Sequence, residues 1–379
     1  MKFALFYHSI VSCWNNGNAH FTRGMARALM KQGHAVTVYE PWNAWSRRNL
    51  VADHGLAVLR ELELAVADIP RRVYDPESLD LDAVLSEADV VIVHEWTDPL
   101  AVERLGERHR SGGDFLLLFH DTHHRGVTAP EEIDRLPLEG FDAVLAFGEA
   151  LREVYERKGW GRRAYTLHEA ADTTVFRPLA DIEADKDLVW IGNWGDGERT
   201  RELHEFLIDP ASDLALDLTI HGVRYPEAVR RVLVAEGVDY RGWLPNHKAP
   251  ETFACARFTV HVPRRAYATL LPGIPTIRVF EALACGIPLI SAPWSDCEGL
   301  FPEGCYAKAA DGAAMRKLMR EVMNDAAYRQ AMAAAGLEAI RRRHTCDHRA
   351  AELLAIIDEL KPPRPGAVPG SRQFREKVS

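Results

Sequence analysis

Three stretches of this chain place residue types where they could do chemistry. In the first, residues 272–291 (PGIPTIRVFEALACGIPLIS), a loop kept irregular by Pro272, Gly273 and Pro275 runs into a segment where Ile277, Phe280 and Ala284 recur at helical spacing. Thr276 is placed to cap the free amides at its start, and Gly286 to end it. A loop feeding a helix N-terminus offers unpaired N–H groups and about half a unit of positive charge, so the backbone at Thr276, Ile277 and Arg278 suits a phosphate. Glu281, about one and a half turns further in, lies about a ribose away from that phosphate. The other reading of these residues is a buried helix and strand of any α/β protein, with Glu281 a solvated surface charge.

The second stretch is GNWGDGERTR, residues 192–201, between an apolar run and a helical one. Backbone amides around Gly195 and the guanidinium of Arg199 or Arg201 could meet a diphosphate there, with Arg278 as a third candidate. The glycine spacing departs from GxGxxG, and arginines at helix starts are also common as solvated surface charges.

The third is a set of polar groups following apolar runs: His8, then His94-Glu95-Trp96, then His120-Asp121-Thr122-His123-His124-Arg125. His120 paired with Asp121 is the arrangement that would serve as a catalytic base. The same imidazoles and carboxylates suit a metal, but HxxHH at a strand end lacks the i, i+4 geometry of a helical site. A polar substrate pocket or a hydrogen-bonded loop is therefore expected there, and no metal.

The elements that must position these groups can be read from periodicity. Residues 2–7 are apolar on both faces, as a central parallel strand requires; a polar loop over 8–17, a helix over 18–32 and a strand over 34–40 complete a βαβ unit. Gly17 is the residue best suited to let backbone approach a ligand, or else a plain turn glycine. Residues 41–67 read as helical, with no chemistry assigned. Further strands are expected over 88–94, 114–120 and 141–147, and the same alternation restarts with strands over 188–194, 216–222, 238–244 and 258–262 and helices over 198–208 and 226–236. Alternating strands and helices mean doubly wound parallel sheets, whose ligands bind at the carboxyl ends of the strands. From residue 312 the chain is helical to about 343 and again over 347–360; residues 361–379, rich in Pro, Gly and charge, are expected to be disordered.

At 379 residues the chain is long enough for two domains, and 47% hydrophobic with 27% charged residues is the composition of an ordinary globular protein. A net charge of −9 argues against non-specific binding to nucleic acid or anionic membrane. Cys13, Cys255, Cys285, Cys297, Cys305 and Cys346 show no CxxC spacing and read as reduced thiols of a cytoplasmic protein. No stretch approaches the roughly 20 apolar residues of a membrane span, and the N-terminus reads as a first strand rather than a signal peptide.

The residues EALACGIPLIS, from Glu281 to Ser291, resemble the donor-site signature of retaining nucleotide-sugar glycosyltransferases with the GT-B fold, glycosyltransferase family four in particular, and the longer wording GIPTIRVFEALACGIPLIS its CgeB-like branch. Four further segments support the resemblance: GNAHFTRGMARALMKQGHAVTVYE resembles the family's opening, LFHDTHHR its "tvHD" strand end, FDAVLAFGEALREVYERKGW the strand and helix closing its first domain, and AYTLHEAADTTVFRP its interdomain passage "vpnGvDtdrFrP". Departures are Gly273, where the family has a second glutamate, Gly148 in place of its serine, and Glu169-Ala170 in place of its asparagine–glycine pair.

The resemblance implies two doubly wound Rossmann-like domains facing across a cleft: residues 1–180 for the acceptor, 181–345 for the donor, and a last helix over 346–360 packing back on the first. It implies that Glu281 holds the ribose, that His120 faces the reacting sugar, and that Gly17, Asn18 and His94 lie on the acceptor side. The implied reaction moves a sugar from a nucleotide diphosphate-sugar to an acceptor, a small molecule, glycan or protein, with retention and with no metal or other cofactor. An epimerase of nucleotide sugars and a non-catalytic nucleotide-sugar-binding protein are the alternatives.

Overall fold

Residues 1–195 and 197–361 are described by the computed structural model. The apolar runs of the first half form one sheet: β1 (Lys2–Phe6), β2 (Ala35–Pro41), β3 (Arg71–Tyr74), β4 (Val90–His94), β5 (Leu116–Asp121), β6 (Ala143–Ala146) and β7 (Ala164–Thr166). All pairings are parallel, in the order β3-β2-β1-β4-β5-β6-β7. Every residue of β4 is buried, which is why its sequence, VVIVH, is apolar almost without alternation.

The second half repeats the plan with β8 (Lys186–Ile191), β9 (Leu218–His221), β10 (Asp239–Gly242), β11 (Ala256–His261), β12 (Leu289–Ser291) and β13 (Ala307–Lys308), again all parallel, in the order β10-β9-β8-β11-β12-β13. The periodicity missed β3, β7 and β13. All three lie at sheet edges and are four residues or shorter, with β3 reading RRVY, so none carries a buried apolar run.

The segment expected to be one helix over 41–67 is Trp45–Ala65, interrupted at Gly55, whose φ of 82° lies outside the helical region. The last helix, Cys346–Leu360, packs on Ala19–Lys31 of the first half. A Cβ on Gly24 would run into Sγ of Cys346, so only glycine lets the two backbones approach this closely. Just before it the chain pairs back on the interdomain passage, with Ala171 N donating to His344 O and Cys346 N to Ala171 O. The largest cluster of buried apolar side chains runs through both halves, from Phe3 and Phe21 through Phe176 to Phe280 and Leu353. Each fully buried phenylalanine contributes on the order of 1.5–3 kcal/mol, so the two halves share a substantial core. Of the expected tail, all but Lys361 lies outside the described residues.

Candidate functional site

The carboxyl ends of the two sheets face each other across a cavity of about 780 Å³. Its walls are the segments that follow β1, β2, β4 and β5 on one side and β8, β9, β10 and β11 on the other, together with the start of the helix Ile277–Ala284.

Thr276, Ile277 and Arg278 all line this cavity, as the loop-to-helix pattern predicts. Thr276 occupies the N-cap position with extended backbone but does not cap: its hydroxyl pairs with Nε2 of His261 at 3.2 Å, and no side chain closes the helix start. The backbone amides there remain available to an anion.

Arg199 also lines the cavity. It is almost fully buried, donates to the carbonyls of Val262 at 2.7 Å and of Asn193, and lies 5.3 Å over the ring of Trp190. Burial first, then Arg264, bring its guanidinium down to about 10, which leaves it charged at neutral pH. Gly195 is not on the wall but makes room for this arginine: its φ is 84°, and a Cβ there would lie 3.2 Å from Arg199 Nε. Arg201 is a correction to the sequence reading. The helix begins at Thr200, so Arg201 falls on the opposite side from Arg199; its side chain is 85% exposed and stands 3.8 Å from Glu205. Arg224 and Arg264, which sequence reasoning missed, complete the basic wall; both follow strand ends, β9 and β11, the position that could have flagged them.

Glu281 is fully buried rather than a solvated charge, and it lies behind the wall rather than on it. One carboxylate oxygen accepts from Nδ2 of Asn246 at 3.0 Å and faces Nδ1 of His20 at 2.9 Å; the other pairs with Arg278. His20 Nε2 accepts the amide of Asp172 at 2.8 Å, so the proton of the ring sits on Nδ1, toward Glu281. Burial pushes the Glu281 carboxyl up, but Arg278, His20 and Asn246 together outweigh it and hold it below its ordinary value.

His120 and Asp121 do not pair. They are consecutive residues of β5, and consecutive strand residues point to opposite faces of the sheet. His120 Nδ1 shares a 2.7 Å hydrogen bond with the Tyr7 hydroxyl and its Nε2 is buried without a partner, while Asp121 accepts from Tyr155 Oη at 2.7 Å and from the amide of His123 at 2.9 Å. Both are buried behind the wall, as is His94, which stacks on Tyr7 at 4.6 Å and meets the Thr122 hydroxyl at 3.1 Å. Burial drives the His120 imidazole down to about 3 and raises Asp121 to about 6. The polar groups that do reach the cavity from β5 are Thr122 and His123. Glu95 is taken by Arg125 at 2.9 Å and Thr122 at 3.1 Å, and among the described residues no three of His, Cys, Asp and Glu converge on one point.

Gly17 and Asn18 line the cavity beside the second domain; a Cβ on Gly17 would come within 3.3 Å of Ile277. Asn193 bridges the halves by donating to Asn15 Oδ1 at 2.5 Å, and the Asn246 amide donates to Sγ of Cys13 at 3.2 Å.

Residues 199–355 match the family model described as glycosyl transferase-like. The whole chain is similar in structure to sucrose-phosphate synthase from Thermosynechococcus elongatus (15% identity, 95% of this chain and 99% of that one, TM-score 0.66) and to HepE of Anabaena in complex with UDP and glucose (13%, 95% and 100%, 0.66). It is also similar to an α-glucosyltransferase in complex with UDP and a 13-mer DNA (12%, 94% and 99%, 0.66). No curated protein matches the chain by sequence. At these identities the likeness to solved structures is one of fold: two parallel-sheet α/β domains facing across a cleft.

Proposed function

We propose that this chain, which has the GT-B fold and matches the glycosyl transferase-like model over residues 199–355, is a glycosyltransferase that binds a nucleoside diphosphate sugar on the second-domain wall and passes the sugar to an acceptor on the first. The observation that carries the reading is the basic wall: Arg199, Arg224, Arg264 and Arg278 gathered around an uncapped helix start. As the bond from the anomeric carbon to the diphosphate breaks, the sugar becomes cationic and the departing oxygens gain charge. Preorganised guanidinium groups and helix amides stabilise that charge without a metal.

The ribose contact implied for Glu281 passes in this arrangement to Asn246, a residue of the cavity wall whose Oδ1 has no partner. Glu281 then serves as a positioning residue for Asn246 and Arg278. Retention is the stereochemical course we assign. No carboxylate lines the cavity among the described residues, and the wall histidines His123, His221 and His261 are held at about 2, 4 and 3, chiefly by burial. With no carboxylate nucleophile and no effective base on the wall among the described residues, and with the Cys13 thiol raised by burial, attack from the same face, with the leaving diphosphate taking the acceptor's proton, is the course this chemistry favours. An epimerase would need carboxylates flanking the sugar, and the wall offers none among the described residues.

The experiment is calorimetric titration with UDP, GDP and ADP, followed by product analysis with the sugar conjugates of whichever nucleotide binds. Nucleotide binding with sugar transfer of retained configuration is expected. Absence of binding to all three would overturn the reading; inverted product would overturn the course.

A further inference from the structure

The cavity is electrically divided. Its four arginines all belong to the second domain, whereas no wall residue from the first domain is Asp, Glu, Lys or Arg among the described residues. What the first domain presents instead is three tryptophans, Trp14, Trp45 and Trp96, interleaved with the side-chain amides of Asn15, Asn16 and Asn49.

Each indole is held from behind. Trp45 carries His8 stacked on one face at 4.6 Å and meets Trp14 and Trp96 edge-on, both at 6.3 Å. Trp14 donates from its ring nitrogen to Asp53 at 2.8 Å, and Trp96 has the Arg125 guanidinium 3.9 Å over its ring. That arginine does not make the wall basic: it is neutralised by Glu95 at 2.9 Å and Glu132 at 3.0 Å and is not a cavity residue. The result is a rigid aromatic surface flanked by amides: Asn16 Nδ2 is spent on the carbonyls of Ser9 and Ser12 and Asn15 Oδ1 on Asn193, which leaves Asn16 Oδ1 to accept, Asn15 Nδ2 to donate and the Asn49 amide to do both.

From this we infer that the acceptor is an uncharged carbohydrate, a glycan or glycoside whose pyranose ring stacks its C–H face on the tryptophans while its hydroxyls bond the asparagines. This rests on the glycosyltransferase reading above. A sugar phosphate or a nucleic acid would bring phosphate charge to a wall with no cation to receive it, and burying an unpaired charge is costly. The step balances without another reagent: the acceptor hydroxyl oxygen bonds to the anomeric carbon, the bond from that carbon to the diphosphate oxygen breaks, and the hydroxyl proton leaves with the diphosphate.

The test uses the full chain and the nucleotide sugar it binds. Nucleotide release is followed with a panel of neutral mono- and disaccharides and aryl glycosides, the corresponding hexose 6-phosphates, and a short DNA duplex. Stimulation by neutral sugars and not by the phosphates or the duplex is expected. In Trp45→Ala the acceptor KM should rise about tenfold while the nucleotide Kd changes less than about twofold. Transfer to a phosphorylated sugar or to DNA in preference to every neutral sugar overturns the inference and leaves the donor reading standing, as does nucleotide-sugar binding with no response to any neutral sugar. Failure to bind any nucleotide overturns both. Should Trp45→Ala not fold, Asn49→Asp, which places a charge on the neutral wall, is expected to raise the acceptor KM in the same way, and an unchanged KM counts against the inference.

Discussion

Glu298, in the second domain, accepts a hydrogen bond at 3.0 Å from the backbone amide of Glu149, the first residue of the helix Glu149–Lys158 in the first domain. That helix follows Gly148, which has no side chain to cap it, so the carboxylate of the other domain serves as its cap; the second oxygen lies 2.6 Å from Nε2 of His168. Two glycines make the arrangement possible. A Cβ on Gly148 would run into Ile274, and one on Gly273 would lie 2.7 Å from Glu298. Glu298 thus stands beside the position where the resembling family carries its additional glutamate.

Glu298→Ala is expected to cost about 0.5–2 kcal/mol, the range for loss of an N-terminal cap, and to loosen the two domains. Thermal unfolding and small-angle scattering check this; an unchanged radius of gyration together with an unchanged melting temperature would show that the contact holds nothing.

Arg264 makes no ion pair among the described residues and lines the cavity, whereas Arg201 is exposed beside Glu205. Arg264→Ala should therefore weaken binding of a nucleoside diphosphate about tenfold or more and that of the bare nucleoside little. Arg201→Ala should change neither. Equal effects in calorimetry would contradict the placement of the diphosphate.

His123 faces the cavity and His120 does not. His123→Ala is expected to lower turnover about tenfold with little change in melting temperature, the effect of one lost hydrogen bond. His120→Ala removes the 2.7 Å partner of the buried Tyr7 hydroxyl and leaves a void behind the wall, at a cost of about 1–3 kcal/mol, so stability and turnover should fall together. The reverse pattern would return His120 to the reacting sugar.

Glu169 is buried with Oε1 unpartnered, and burial first, then the charges of Glu281 and Glu95, raise its carboxyl well above the ordinary range. A carboxyl raised on folding makes the native state bind the extra proton, so stability falls as pH rises above the unfolded value of about 4.3. Glu169→Gln removes that slope and should raise the melting temperature at alkaline pH. Identical pH profiles for the two proteins would refute it.

For Glu281 the sign is opposite. Its carboxyl is depressed in the fold, so its contribution is present above the unfolded value of about 4.3 and is lost as pH falls through the lower folded one. Glu281→Gln should melt lower than the parent at neutral pH and converge with it in acid, measurable by calorimetry. It should also weaken nucleotide binding through Arg278, which loses its partner.

The alternation of apolar runs with helical periods determined two tandem parallel sheets, because a strand buried on both faces writes itself as a continuous apolar run. The loop before Ile277 and the arginine at 199 were legible for the same reason: local backbone chemistry places them at strand ends and helix starts. What periodicity cannot carry is which side chain meets which across the cleft. Arg199 and Arg201 look alike in sequence, yet the helix start at Thr200 turns one inward and the other to solvent. Adjacent His120 and Asp121 suggest a pair, yet the pleat sends them to different partners. Glu281 reads as a ligand contact until His20 and Asn246, remote in the chain, are packed against it. The first two outcomes follow from where a helix starts and how a strand pleats, and the last from the docking of two domains, which sets His20 of one against Glu281 of the other, residues that no short window of sequence relates.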